Sequence, residues 1–224
     1  MFFRLLTIVT FLSAASSAAA YDSVYAARKL SDDEFYRVAA CNARVGGDCR
    51  APLVKWPART AQGLSISVKI SGGASRSDAK IAEIQSAVGA AINQINAAGS
   101  GVRLALVPKS TAKIVLEIVT PQEMSKYVRR SGSSSMGDQG AVGYSTIWWD
   151  NSNAIKKGEV KISVAVSSGD VRSVVLEEIF QALGFATDID GAPYNGRSIL
   201  AESSNNVVTI RGQDRMLLLR HYPR

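Results

Sequence analysis

Histidine is nearly absent from this chain: His221 is the single one in 224 residues. That scarcity excludes a site built from two or three imidazoles, and it gives a serine nucleophile at Ser203 or Ser204 little support. His221 lies close to the C-terminus, where a surface or helix-end place is expected rather than a ligand role. Cysteine is almost as scarce, with only Cys41 and Cys49. No glycine-rich phosphate cradle and no nucleic-acid signature are present, so nucleic acid is not an expected partner. After the first twenty residues no run reaches the roughly 18 apolar residues of a membrane span.

The first twenty residues, MFFRLLTIVTFLSAASSAAA, pair a basic start at Arg4 with an apolar run at Leu5 to Leu12 and small residues at Ala18-Ala19-Ala20. This reads as a secretory signal, and the mature chain is expected to start at Tyr21 in the periplasm or outside the cell. No cysteine follows the apolar run, so a lipid anchor is not indicated. The formal charge of +7 falls to +6 when Arg4 is lost. A basic exported protein meets anionic envelope polymers and membrane surfaces, although such a charge can also serve solubility alone. In an oxidising compartment Cys41 and Cys49, with a Gly46-Gly47 turn between them, are expected to form a disulfide worth about 2–3 kcal/mol.

Residues 21–54 read as an N-terminal extension. Ser31 and Glu34 fit a capping box, and a short helix to about residue 43 should present Phe35, Val38 and Ala39 on one face. The domain proper is expected over 55–224. Leu64, Ile66, Val68 and Ile70 alternate with polar residues, which predicts a half-buried strand. Ile81, Ile84, Val88, Ile92 and Ile95 recur at helical spacing and predict a long amphipathic helix, with caps at Ser75 or Ser77. Strands are predicted over 102–107, 113–119, 143–150 and 158–166, with a Gly/Ser-rich mobile loop over 129–143. A helix capped by Asp170 should span 171–183, residues 185–209 should be irregular, and a last helix should run from Asp214 to Tyr222. The expected class is α+β: a small mixed twisted sheet carrying a long helix, a second helix under a cleft, and a C-terminal helix.

The stretch LEEIFQALGF, 176–185, has the layout of a zinc-peptidase helix without its histidines. Such a helix needs ligands at i and i+4 and a general base at i+1. Here Glu177 stands at i, Glu178 at i+1 and Gln181 at i+4. Gly184 follows, then Thr187 at the third-ligand position, with Asp188 and Asp190 next to it. The other helix residues are apolar, so two adjacent acids and a glutamine need an explanation.

In that order of elements, Lys55 to Tyr222 resembles the metzincin clan of zinc peptidases, and most its compact matrixin-type members. KWP with the strand and helix after it, GYST and VKISVAV resemble their upper lobe. EEIFQALGF resembles their metal-binding helix, DIDGAPYNGRSIL their loop to the methionine turn with Leu200 in the methionine's place, and DRMLLLRHY their closing helix. A closer resemblance, through EEIFQALGF, DID, RSIL and GQDRMLLLR, is to a bacterial family of exported proteins and candidate lipoproteins of unknown function. The first resemblance implies a degenerate metallopeptidase-like site, with Glu178 as the position of a catalytic base and Trp148-Trp149 on the strand that borders the cleft and pairs with an extended peptide.

An amide carbonyl binds zinc poorly and a carboxylate binds it loosely, so zinc is not expected. Glu177, Gln181 and Asp188 together would suit a harder divalent cation such as calcium or manganese. Three arrangements remain open: these side chains bond one another or backbone and hold the loop, they bind a non-zinc ion, or they form a hydrolytic site. The leading expectation is an exported protein with little or no catalysis that binds a peptide or an anionic envelope polymer. The rivals are a metal-dependent peptidase with a Glu/Gln/Asp ligand set and a structural cell-envelope protein.

Overall fold

A computed structural model describes residues 16–19, 21–108, 111–131, 140–204 and 206–224. Of the expected secretory signal, only Ser16–Ala19 fall among them. Of the expected loop 129–143, residues 132–139 lie outside them. No helix among the described residues is long and apolar enough to cross a membrane.

The architecture is α+β, as the sequence pattern predicts. The strands are β1 (Ser16–Ala19), β2 (Tyr21–Tyr25), β3 (Leu64–Ile70), β4 (Leu104–Leu106), β5 (Ile114–Val119), β6 (Gly143–Trp149), β7 (Ile155–Ser163) and β8 (Thr187–Asp190). The helices are α1 (Asp32–Cys41), α2 (Ala58–Ala61), α3 (Asp78–Ala97), α4 (Pro121–Ser131), α5 (Val171–Gln181) and α6 (Gly212–His221). A mixed sheet runs in the order β1-β6-β7-β5-β3-β4, and β2 pairs with β8 in a second, two-stranded sheet. Strands β4, β3, β5 and β7 are parallel, while β6 runs antiparallel to β7, and β1 antiparallel to β6.

Helix α3 follows from its isoleucines and valine. Ile81, Ile84, Val88 and Ile95 are buried on the stripe that helical periodicity brings to one side, and α3 packs on α5. Ser77 stands at its N-cap position without a side-chain cap bond, and Asp170 does the same before α5, where its carboxylate accepts from Ser167 instead. The expected caps are therefore present in position and not in bonding. Helix α4 is absent from the sequence expectation. It begins at a reciprocal cap, with Thr120 N–H donating to Glu123 Oε2 and Glu123 N–H to Thr120 Oγ1, and Pro121 holds its first position. It covers the opposite side of the sheet with Met124 and Val128, against Val119 and Tyr144.

The segment 21–54 shares the main core. Val24, Leu30, Phe35, Val38 and Val54 are buried with the residues of α3, α5 and the sheet. The Ser31–Glu34 capping box opens α1 as expected. The ring of Phe35 stacks on Tyr194 at 5.3 Å, and β2 lies on β8. Cys41 and Cys49 are disulfide-bonded, closing the turn that follows α1.

Candidate functional site

Helix α5 carries Val174, Glu177, Glu178 and Gln181 at i, i+3, i+4 and i+7, so that all four line one pocket. Strand β6 supplies Gly143 and Tyr144 to its wall, and β8 supplies Asp188. Alternation along β8 turns Thr187 and Ile189 into the core and leaves Asp188 on the pocket side. Glu202, from the chain after Leu200, completes the lining with a fourth carboxylate. The cavity measures about 150 Å³.

Gly143 is required by this geometry. A Cβ there would come within 2.4 Å of Glu178 Oε1 and 2.7 Å of Val174. The carboxyl of Glu178 thus occupies space that any other residue at 143 would fill. Gly184 answers a second close approach at the end of the helix: its φ is +104°, and a Cβ would meet the carbonyl of Val54 at 2.5 Å.

Gln181 is buried and fully engaged. Its Oε1 accepts from Ser145 Oγ at 2.8 Å, and its Nε2 donates to Asp188 Oδ1 at 2.8 Å. It therefore ties β6 to β8 across α5. The expected ligand set Glu177, Gln181 and Asp188 does meet in the pocket, but not as ligands to one ion: the glutamine carbonyl is taken by Ser145, and its amide nitrogen faces Asp188. Among the described residues no group of three or more His, Cys, Asp or Glu side chains is placed to hold a metal ion.

Among the described residues, no lysine or arginine lines the pocket to offset the acids. Burial, then the charges of Asp188, Glu178 and Glu202, push Glu177 well above the ordinary carboxylate range. Burial and Asp188 push Glu178 up as well, opposed by its interaction with the Ser145 side chain. Burial and Glu202 push Asp188 up to about 7, opposed by the bond from Gln181. Glu178 Oε2 is buried and has no hydrogen-bond partner among the described residues.

The two tryptophans lie elsewhere on β6, and neither lines the pocket, in contrast to the cleft place expected for them. Trp149 is buried in the core, and Trp148 points the other way under Lys157 Nζ, 4.8 Å from its ring centroid. Period-two alternation separates adjacent residues on a strand in this way. His221, expected at the surface or a helix end, is the last residue of α6 but is buried. Its Nε2 donates to the Val54 carbonyl at 3.0 Å, which leaves Nδ1 to accept from Tyr36 OH at 2.9 Å. Burial lowers it to about 4, so it is neutral, and it stands as a fixture of the core. Glu202 in the pocket lining and Ser145, which holds Gln181, are polar residues of the site that the sequence does not single out.

The motifs RSIL and GQDR meet at one hinge of the loop. Asp214 accepts from Ser198 Oγ at 2.7 Å and from Ile199 N–H at 3.0 Å, and so fixes the chain on which Leu200 is buried.

Two solved structures of myroilysin resemble the chain at 14% identity. Each match covers 76% of this chain and has a TM-score of 0.39, and the matches cover 86% and 83% of those chains. No curated protein sequence matches. A family model described as a protein of unknown function matches residues 32–223. The chain belongs to that family, DUF2927.

Proposed function

We propose that this protein is an exported binding protein that takes an extended peptide along the outer edge of β6, beside a degenerate metallopeptidase-like pocket, and does not cut it. The observation that carries the reading is the pairing of Ser16–Ala19 with Trp149–Thr146. A short extended segment satisfies the edge of β6 in antiparallel register, and this is the segment that signal cleavage after Ala20 would remove. The exposed edge left behind has unpaired backbone groups, a template for strand addition. The engaged Gln181, whose carbonyl is taken by Ser145 and whose amide nitrogen faces Asp188, supports binding without hydrolysis.

The test uses isotope-labelled protein beginning at Tyr21 and the peptide acetyl-SSAAA-amide. Amide shifts confined to residues 143–149, with the peptide intact by mass spectrometry, are the expected result. Chelator-sensitive cleavage that disappears in Glu178→Gln would establish the peptidase reading instead. Shifts absent from β6 altogether would remove the edge-binding reading.

A further inference from the structure

The pocket holds four carboxylates and one amide, and the amide is already spent on Ser145 and Asp188. An acid cluster alone does not define a site. A second observation points outward from this one: Glu178 Oε2 is buried, lines the cavity and lacks a partner among the described residues. Buried polar atoms are paired in the great majority of proteins, and an orphan at a cavity wall marks the place of a missing donor. The segment 132–139 contributes no lysine or arginine in its sequence. A donor brought by another molecule meets that need, and a cationic one draws the protons off the raised acids and offsets the charge that their loss uncovers.

We infer that the pocket receives the ammonium group of a lysine side chain carried by the peptide on β6. This rests on the edge-binding reading for the direction of approach. The β1 register sets that direction. With Ser16 opposite Trp149 and Ala19 opposite Thr146, the next three residues of an extended chain fall opposite Ser145, Tyr144 and Gly143. Tyr144 and Gly143 line the pocket. In this chain Tyr21 turns onto β8 instead, opposite Thr187. A foreign peptide that keeps straight on passes over the acids.

The chemistry fits an ammonium better than the other cations. An ammonium carries three donors, and Glu177, Glu178 and Asp188 line the pocket as acceptors for it. Val142 and Val174 in the wall suit an aliphatic stem. A cavity of about 150 Å³ takes such a stem and its head. A divalent ion lacks a ligand group among the described residues.

The experiment titrates protein beginning at Tyr21 with acetyl-SSAAAAK-amide, whose lysine falls opposite Gly143 and so projects to the face on which Gly143 meets Glu178, and with the same peptide carrying norleucine in its place. The lysine peptide is expected to bind at least about tenfold more tightly. Glu178→Gln and Glu177→Gln should each erase most of that preference while moving norleucine-peptide affinity less than about twofold. Butylammonium alone should shift the side-chain amide resonance of Gln181. Equal affinity for the two peptides, with no response to butylammonium, overturns the ammonium pocket and leaves edge binding standing. A butylammonium response with neither peptide bound removes edge binding and leaves the ammonium pocket. Calcium binding that is lost in Glu178→Gln, with equal peptide affinities, assigns the acids to a metal and overturns the inference.

Discussion

Helix α5 passes through two buried polar environments that are built on opposite plans. At its C-terminal end, Trp56 Nε1 donates to the Ala182 carbonyl at 3.0 Å, Tyr222 OH donates to the Leu183 carbonyl, and Trp56 N–H donates to Tyr222 OH at 3.2 Å. His221 joins the same cluster through Tyr36 and Val54. Each hydrogen-bonding group there has found its complement, and aromatic surface seals the network. One to two turns earlier, the same helix presents Glu177 and Glu178 to Asp188 and Glu202 with no cation among the described lining residues. The first environment stabilises the helix end. The second costs free energy, because desolvated acids of like charge oppose folding. Arrangements of that kind cluster at binding and catalytic sites.

The contrast can be broken most severely at Trp56, which is buried and carries two of the bonds. Trp56→Ala should lose about 3–5 kcal/mol of stability in chemical denaturation. A loss below about 1 kcal/mol would mean that the network does not hold the helix end. Tyr222→Phe keeps the ring and removes the hydroxyl that Leu183 and Trp56 share. It should cost about 1–3 kcal/mol, since two buried backbone groups lose their partner.

The two environments should also answer pH in opposite senses. His221 titrates near 4 in the fold against 6.5 ordinarily, so its contribution is present above 6.5 and is lost as pH falls toward 4. Asp188 titrates near 7 against 3.8, so the fold holds its proton longer than the unfolded chain does. Its contribution is present below 3.8 and is lost as pH rises through 7. The variant Asp188→Asn should therefore gain on the wild type between pH 4 and 7, by on the order of 1 kcal/mol, measured as urea midpoints across that range. A constant difference would show that Asp188 keeps an ordinary acidity. The smallest effect is expected at Glu178→Gln, within about 0.5 kcal/mol of wild type or more stable at pH 8, because it removes a buried acid whose ionisation the described lining residues do not offset. A loss of several kcal/mol would make the pocket structural and erase the contrast.

The sequence disclosed elements whose information is local. The α3 stripe, the β3 alternation and the Ser31–Glu34 box sit where periodicity and capping place them. Helix α4 is equally legible at its start, since Thr120, Pro121 and Glu123 spell a cap, while its last turn falls within the stretch 129–143 that has the glycine and serine content of a loop. Strand β8 was not legible: it has four residues and owes its form to β2, far away in the chain. The candidate site divides likewise. Glu177, Glu178 and Gln181 share a face by helical spacing, which a sequence exposes. The partner that takes the Gln181 carbonyl, Ser145, is 36 residues distant, and Glu202 carries no local mark. His221 was misplaced for the same reason, because its partners lie 185 and 167 residues away.

That single imidazole offers a clean spectroscopic handle. A chain with one histidine gives one ring signal in a nitrogen–proton correlation spectrum, free of overlap. Because the ring is clasped between α1 and the chain at Val54, its tautomer and exchange rate report whether the N-terminal segment is seated on the last helix. In isotope-labelled protein that ring thus follows assembly of both chain ends in real time, without an attached probe or a substitution.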